Sequence, residues 1–487
     1  MNAKKLIHYA IILAFPISTY IFSPPEGLSL IGWHLTGVYI ASILALILKP
    51  FPAPVILLTA VALATIMIGN SAPEMIGNTK IALKQSSALD GYKSGTTWLV
   101  FAAFTLSAAF VQTGLGRRIA YKMIGAFGNT TLRLGYVNAC LDLLISPAMP
   151  STTARGGGIM MPIMNSISMS LGSNPEKTPK KVGRYLMINT YMVVKTTGYI
   201  SLTAMAPNAV ALELMAPILK FNINWTQWFI AASIPGILCL LLTPIVVYFL
   251  NKPELKDIDN KEIARKGLEE MGPMSKREKT LSVIFGIAIF SWIFSDFLRL
   301  DEFSVAIAAM SLLILFSVIS WDDILKNKSA WSTLTWYGGL LGIAAVLKQS
   351  EFFTWLSQAM GELITLDNPN STLVTILILF LSITVRYFFA SGAAYVASMV
   401  PVFAAVGLAA HASPTLLALG LLFSNSYGSM TTHYGSGPAP IIFGAGYNDL
   451  KSWWVTGAVM AYGTLAIHIT LGFTWWTLLE NMGIFTN

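Results

Sequence analysis

Two short stretches of this sequence carry residue types suited to holding an anion. The first is Pro147 to Pro162, PAMPSTTARGGGIMMP, rich in hydroxyls and glycine with a single arginine. The second is Phe389 to Pro401, FASGAAYVASMVP. Both interrupt strongly apolar sequence, and irregular polar backbone inside such sequence is where a membrane-embedded site forms. The tip Ser151-Thr152-Thr153-Ala154-Arg155-Gly156-Gly157-Gly158 offers hydroxyls and a backbone that glycine lets a ligand approach closely. A helix starting near Thr153 would aim free N–H groups and the positive end of its dipole at an anion. The tip Ser391-Gly392-Ala393-Ala394 predicts the same from the opposite side. Two facing helix N-termini suit a ligand with two carboxylates better than a sugar or a cation.

Few ionisable residues fall in these segments, and a charge placed within a membrane points to function. Arg155, Lys195, Arg386 and His433 are basic, and Asp142 is the main acidic exception. Positive charge therefore predominates where an anion would sit. Each also has a plainer reading: a snorkelled end, an internal ion pair that Asp142 could supply, or a satisfied polar contact for His433. Arg386, close to Ser391, is equally suited to clamping the tip. Gly156 and Gly157 also suit close helix packing. Pro147, Pro150, Pro162 and Pro401 are expected to break helices at the hairpins, and Pro207 and Pro438 to break two later spans. No metalloprotease, phosphate-loop or serine-hydrolase motif occurs, so an enzyme is not expected. Cys140 and Cys239 read as small buried hydrophobes without a disulfide framework.

The elements that must position these residues follow from composition. Of 487 residues, 55% are hydrophobic and only 11% are charged, against about 25% charged in soluble proteins. This predicts an all-α polytopic membrane protein and excludes a β-barrel, whose strands alternate over about ten residues. The net charge of +8 does not point to nucleic acid, because the basic residues lie at the ends of apolar segments and fix topology. The N-terminal apolar segment reads as a retained first span, since hydrophobic sequence continues after it.

Spans are expected near 8–24, 30–48, 54–69, 96–114, 226–249, 279–297, 302–320, 331–348 and 451–476. The mixed stretch Ser71 to Ser94 is too polar to span. Short interfacial helices are expected at Gly116–Phe127 and 351–365. Two broken hairpins, about 131–171 and 370–409, and two interrupted spans, about 184–222 and 413–448, complete the pattern. Residues 251–279, with eight Lys or Arg and seven Asp or Glu, read as a solvated cytoplasmic linker. Beyond residues 1–29, the segments 30–250 and 280–487 repeat one order of parts, and TTGY (196–199) corresponds to TTHY (431–434). With Lys4 and Lys5 inside, the charge rule places Lys49, Arg117–Lys122, Lys177–Arg184, the linker and Lys326–Lys328 inside too. The expectation is about eleven spans, N-terminus inside, C-terminus outside, and two repeats of opposite orientation.

At the two tips the chain resembles the divalent anion:sodium symporter family, also called DASS or INDY-like. It is similar to the branch of citrate/succinate, tartrate/succinate and plastid 2-oxoglutarate/malate exchangers. PSTTARGGG (150–158) and GSGPAPIIFGAGY (435–447) carry the resemblance, which covers nearly the whole chain. It implies an elevator-type carrier, a homodimer in which a scaffold domain holds the dimer while a transport domain moves substrate. It implies that Ser151, Thr152 and Thr153 take one Ser-Asn-Thr place and Ser391, Gly392 and Ala393 the other. In sodium-coupled members the asparagines contact a substrate carboxylate and the tips form sodium sites. Thr152 and Gly392 stand at the asparagine places here. Only weak sodium sites around Ser151, Thr153 and Ser391 are therefore expected, with no other metal and no cofactor.

Fixed charge on Arg155, Lys195 and His433 would replace the missing cations. An empty carrier with uncompensated charge crosses a membrane poorly. The expected function is thus obligate exchange of C4 and C5 dicarboxylates (malate, fumarate, succinate, 2-oxoglutarate) across the cytoplasmic membrane. The alternatives are a sodium- or proton-coupled di- or tricarboxylate symporter of the same fold and an anion channel. Thr197, Pro207, Thr432 and Pro438 complete the expected binding set, with Pro150, Gly156, Gly157 and Pro401 positioning the backbone.

Overall fold

The computed structural model describes residues 3–76, 79–363 and 370–485. Six helices are long and apolar enough to cross a membrane: Leu30–Leu48, Gly95–Thr113, Trp225–Leu250, Lys328–Gln349, Gly392–Ala409 and Leu450–Asn481. Shorter apolar helices accompany them at Ile7–Ile21, Ala53–Gly69, Ala206–Leu219, Glu302–Leu315 and Ser371–Arg386. Large apolar side chains such as Ile66, Phe249, Phe380 and Phe388 stay exposed on the outside, where lipid rather than water covers them at low cost. The protein is a multi-pass, essentially all-α membrane protein.

Polar residues at the ends set the helix boundaries. Ser29, Ser94 and Thr130 each accept a backbone N–H from the first turn of the following helix, and Asn224 and Ser275 form reciprocal capping boxes. The polar stretch after Gly69 holds a two-stranded antiparallel hairpin, Glu74–Ile76 with Thr79–Ile81, a small departure from an all-helical chain. Glu74 accepts the Leu30 N–H at 2.8 Å, tying that hairpin to a helix start.

Two expectations change. The span near 302–320 ends early, at Leu315. Ser317 turns left-handed (φ 54), and Val318 folds back to bond Leu313 O at 2.8 Å. The charged linker is not simply solvated. Its helix Asn260–Met271 packs on the amphipathic helix Leu115–Phe127, and Asn260 caps Ile124 O at 2.9 Å. Arg118 pairs with Glu278 at 2.6 Å, both nearly buried. The second expected amphipathic segment forms Phe352–Leu363; its last two residues, 364 and 365, lie outside the described residues.

The helices sort into two packed groups. Ala53–Gly69, Gly95–Thr113, Glu302–Leu315 and Lys328–Gln349 pack on one another. The short turn Asp90–Lys93 is pressed onto Lys328–Gln349 so tightly that a methyl on Gly91 would lie 2.1 Å from Gly338 O and 2.3 Å from Gly342 N. Gly91→Ala is therefore expected to destabilise the protein by about 1–3 kcal/mol. Thermal unfolding in detergent checks this, with Gly286→Ala, where a methyl meets open space, as the unaffected control. The second group holds both hairpins and both interrupted helices.

Candidate functional site

The first hairpin runs Thr131–Ile145, a tight turn at Ser146–Ala148, then a helix whose first turns, Thr153–Met160, are wound as a π-helix before Met161–Ser170. Met161 N–H reaches back to Gly156 O, the wide bond that defines this form and that often marks functional sites. Ser151 Oγ accepts the Ala154 N–H at 3.1 Å. In the second hairpin, Ser371–Arg386 and Gly392–Ala409, Ser391 Oγ accepts the Ala394 N–H at 3.3 Å. The two serines are thus equivalent N-caps, and each keeps its own O–H free to donate. Pro401 does not break the second arm, which continues through it to Ala409.

Both later helices are interrupted. The first runs Gly183–Thr197 and Ala206–Leu219, with a short 3₁₀ turn, Leu202–Ala204, between them. Asn208 Nδ2 bonds the freed carbonyl of Gly198 at 2.8 Å, an answer to the backbone groups that a break in a buried helix exposes. The second runs Pro414–Tyr427, a 3₁₀ turn Gly428–Thr431, and Pro438–Phe443.

Each hairpin tip is clamped to a break by a buried arginine. Arg155 is fully buried and pairs through Nε with Asp142 at 2.9 Å. Its Nη1 bonds Met149 O at the tip (2.6 Å) and Ala204 O in the first break (2.5 Å), and Nη2 reaches Thr197 Oγ1 at 3.5 Å. Thr197 also donates to Asp142. Pro150 O accepts the Ala206 N–H at 3.1 Å. Arg386 does the same at the other end, bonding Phe389 O at the second tip (2.6 Å) and Gly435 O in the second break (2.7 Å). It also lies over the Tyr395 ring, 5.2 Å from its centroid. Arg155 and Thr197 are thus both held by protein partners, and a guanidinium whose charge is met by Asp142 has less left for an anion.

The hairpins also pack across the two halves. Thr153 Oγ1 sits where only glycine fits, since a Cβ on Gly437 would be 2.1 Å away. A Cβ on Gly156 would lie 3.3 Å from Pro438 Cβ, and one on Gly157 would lie 3.0 Å from Ile441. Gly392 faces inward: a Cβ there would be 3.5 Å from Arg386 Nη2, 3.6 Å from Pro207 Cγ and 3.8 Å from Asn425 Oδ1. Ser391 and Ala393 face the other way, into a cavity of about 530 Å³ that Lys49 and Trp336 also line, within the roughly 300–1,000 Å³ of small-molecule pockets. A second cavity of about 390 Å³ is lined by Glu213, Asp301 and Glu302, whose charge repels an anion.

Lys195 is buried in the last turn before the first break, with Met205 Sδ at 3.6 Å against its ammonium and no carboxylate among the described ion pairs. Arg386, Arg155 and, more weakly, Asp142 lie within its electrostatic reach. Thr152 is buried at the first tip, and Thr432 is buried in the second break with its hydroxyl unpaired. His433 is not with them. It stands in an aromatic cluster, accepting from Trp454 Nε1 at 3.2 Å and lying beside Phe443 and Trp454. At the rim, the Ser452 N–H and then Arg184, 2.9 Å away, hold the Asp449 carboxyl below its usual range. Three residues went unanticipated. Tyr191 bonds Ser429 O at 2.6 Å and Ser436 Oγ at 3.1 Å, Ser426 bonds Lys195 O at 2.7 Å, and Asn425 has no partner. All sit as polar residues in apolar helices, a signal in itself.

Two helical hairpins clamped to two broken helices inside a multi-pass membrane protein define a secondary transporter rather than an enzyme. The chain matches the family described as sodium:sulfate symporter transmembrane region over residues 3–482 and belongs to it. It is 59% identical over 99% of its length to all of a transporter of Haemophilus influenzae. It is 37% identical to the putative malate transporter YflS of Bacillus subtilis, covering 98% of this chain and 97% of that one. It is 32% identical to the L-tartrate/succinate antiporter of Shigella flexneri, covering 93% and 94%. In fold it is similar to the YdaH transporter of Alcanivorax borkumensis, with a TM-score of 0.57 at 11% identity over 88% of this chain and 97% of that one.

Proposed function

We propose that this protein exchanges C4 and C5 dicarboxylates across the cytoplasmic membrane, binding them between the two hairpin tips. The observation that carries this is charge. Among the described residues, the buried ionic groups around the tips and breaks are Arg155, Lys195, Arg386 and Asp142; the other buried pair, Arg118 and Glu278, lies at the linker. With Lys195 protonated, three cations against one carboxylate leave an excess of two positive charges, the complement of one dicarboxylate dianion. Loaded, that core is neutral and can cross; empty, it is not, and the cost of unmatched charge in low dielectric holds it back. Exchange follows. The malate and tartrate/succinate assignments of the two relatives point to the same ligand class.

Hairpins and broken helices move together in this reading, since Arg155, Arg386 and Tyr191 bind tips and breaks into one body. The hydrogen bonds Tyr39 Oη to Ala397 O and Thr96 Oγ1 to Glu213 Oε1 join that body to the outer helices and break as it slides. The cavity beside Ser391 opens toward Lys49, a loop the charge rule puts inside, which supports a cytoplasm-facing state. The two halves are inverted repeats of an eleven-span chain, N-terminus inside and C-terminus outside, and the outer helices form a homodimer scaffold.

Counterflow in proteoliposomes tests the proposal. Uptake of labelled succinate or malate is expected only into vesicles preloaded with a dicarboxylate, and unchanged when choline replaces sodium. Uptake into empty vesicles driven by a sodium gradient would establish a symporter instead, and conductance without saturable counterflow a channel.

A further inference from the structure

We infer that Asn425 selects 2-hydroxy dicarboxylates over their unsubstituted analogues, its Nδ2 donating to a carboxylate and its Oδ1 accepting from the neighbouring hydroxyl. This rests on the dicarboxylate reading above and names a narrower class within it. Asn425 lies near the end of the helix Pro414–Tyr427, just before the second break, and is fully buried. Among the described residues it is the one buried side-chain amide with both nitrogen and oxygen unpaired. The other buried asparagines at the hairpins and breaks each keep one partner, though their Oδ1 atoms are also unpaired: Asn208 Nδ2 serves the first break, Asn138 Nδ2 bonds Thr190 Oγ1 at 2.8 Å, and Asn189 Nδ2 bonds Gly135 O at 3.3 Å. Native cores rarely leave such a group without any partner, so this amide awaits one that comes and goes.

Its position says what that partner is. Asn425 Oδ1 borders the inner face of Gly392, together with Arg386 Nη2 and Pro207. Ser391 takes the N–H groups of Ala394 and Tyr395, which leaves those of Gly392 and Ala393 as the orphan donors of the second tip. Arg386, these N–H groups and Asn425 Nδ2 are all donors, the set a carboxylate needs. Asn425 Oδ1 is an acceptor in the same place, and a dicarboxylate dianion has no hydrogen to give it. A hydroxyl beside the carboxylate does. A buried group built to pair with a ligand hydroxyl discriminates against the analogue that lacks it, because it is then left unpaired.

The test is the ratio of succinate to malate Kd on purified protein, read by ligand-dependent thermal shift and by competition in counterflow. For the wild type a ratio of about ten is expected, the weight of one buried hydrogen bond. Asn425→Ala is expected to bring it to about one, mostly by weakening malate. Asn425→Leu, which keeps the volume, gives the same result if the alanine variant does not fold. An asparagine satisfied by water alone would weaken both ligands equally, so a ratio that survives either substitution overturns the inference, as does a wild-type ratio near one. A wild type that binds no dicarboxylate overturns the broader reading and this inference with it.

Discussion

Asp142→Ala is expected to cost about 3–5 kcal/mol of stability, the usual penalty for removing one partner of a buried ion pair. Asp142 and Arg155 are both without solvent exposure at 2.9 Å. Removing the carboxylate strands the guanidinium, which still bonds Met149 O and Ala204 O, and deprives Thr197 of its acceptor. The first tip and the first break then share an unmatched charge. Asp142→Asn should cost less, because an amide oxygen can still accept from Arg155 Nε. The double variant Asp142→Ala/Arg155→Met should recover much of the loss, since it removes the stranded charge as well. Thermal unfolding in detergent measures all three. Equal unfolding temperatures for wild type and Asp142→Ala would show that the pair holds nothing together.

The breaks themselves were legible because they violate the grammar of a membrane helix. Proline, glycine and hydroxyl residues inside apolar sequence leave backbone groups that lipid cannot satisfy, and the breaks after Thr197 and after Tyr427 fall within the segments, about 184–222 and 413–448, expected to be interrupted. Pro401 shows the limit of that rule: proline is tolerated within a buried membrane helix when neighbours close around it, and this one interrupts nothing. Arg155 shows another. Its type and depth marked it as important, but whether a buried cation serves a ligand or a neighbour depends on what folds back against it, and Asp142 sits on the opposite arm. His433 was placed with the charges by its position beside the second break, whereas packing turned it toward Trp454. The contacts of Gly156 with Pro438 and of Gly392 with Pro207 join distant halves of the chain, and no local pattern encodes them. Asn425 was overlooked because a single amide in a leucine-rich helix has no motif; only its lack of partners distinguishes it.

Lys195→Gln is expected to affect binding and stability in opposite directions. Its ammonium is buried against Met205 Sδ, and the two arginines within reach outweigh the carboxylate of Asp142, so in the empty protein it is a cost rather than a support. Neutralising it should leave the unfolding temperature of the empty protein unchanged or raise it. The dianion, however, loses one of its two uncompensated counter-charges. Losing one member of a buried charge pair costs about 2–5 kcal/mol, so dicarboxylate Kd should rise at least about thirtyfold. Stabilisation of the protein by added substrate should shrink accordingly. The same change halves the charge that an empty core carries across the membrane, so uptake into vesicles without internal substrate should rise relative to exchange. Three readings on one variant (unfolding temperature without ligand, Kd, and the ratio of uniport to exchange) separate a ligand-facing charge from a structural one. A lower unfolding temperature with unchanged Kd would place Lys195 with Arg155 among the clamps, and the excess charge that motivates exchange would have to be sought elsewhere.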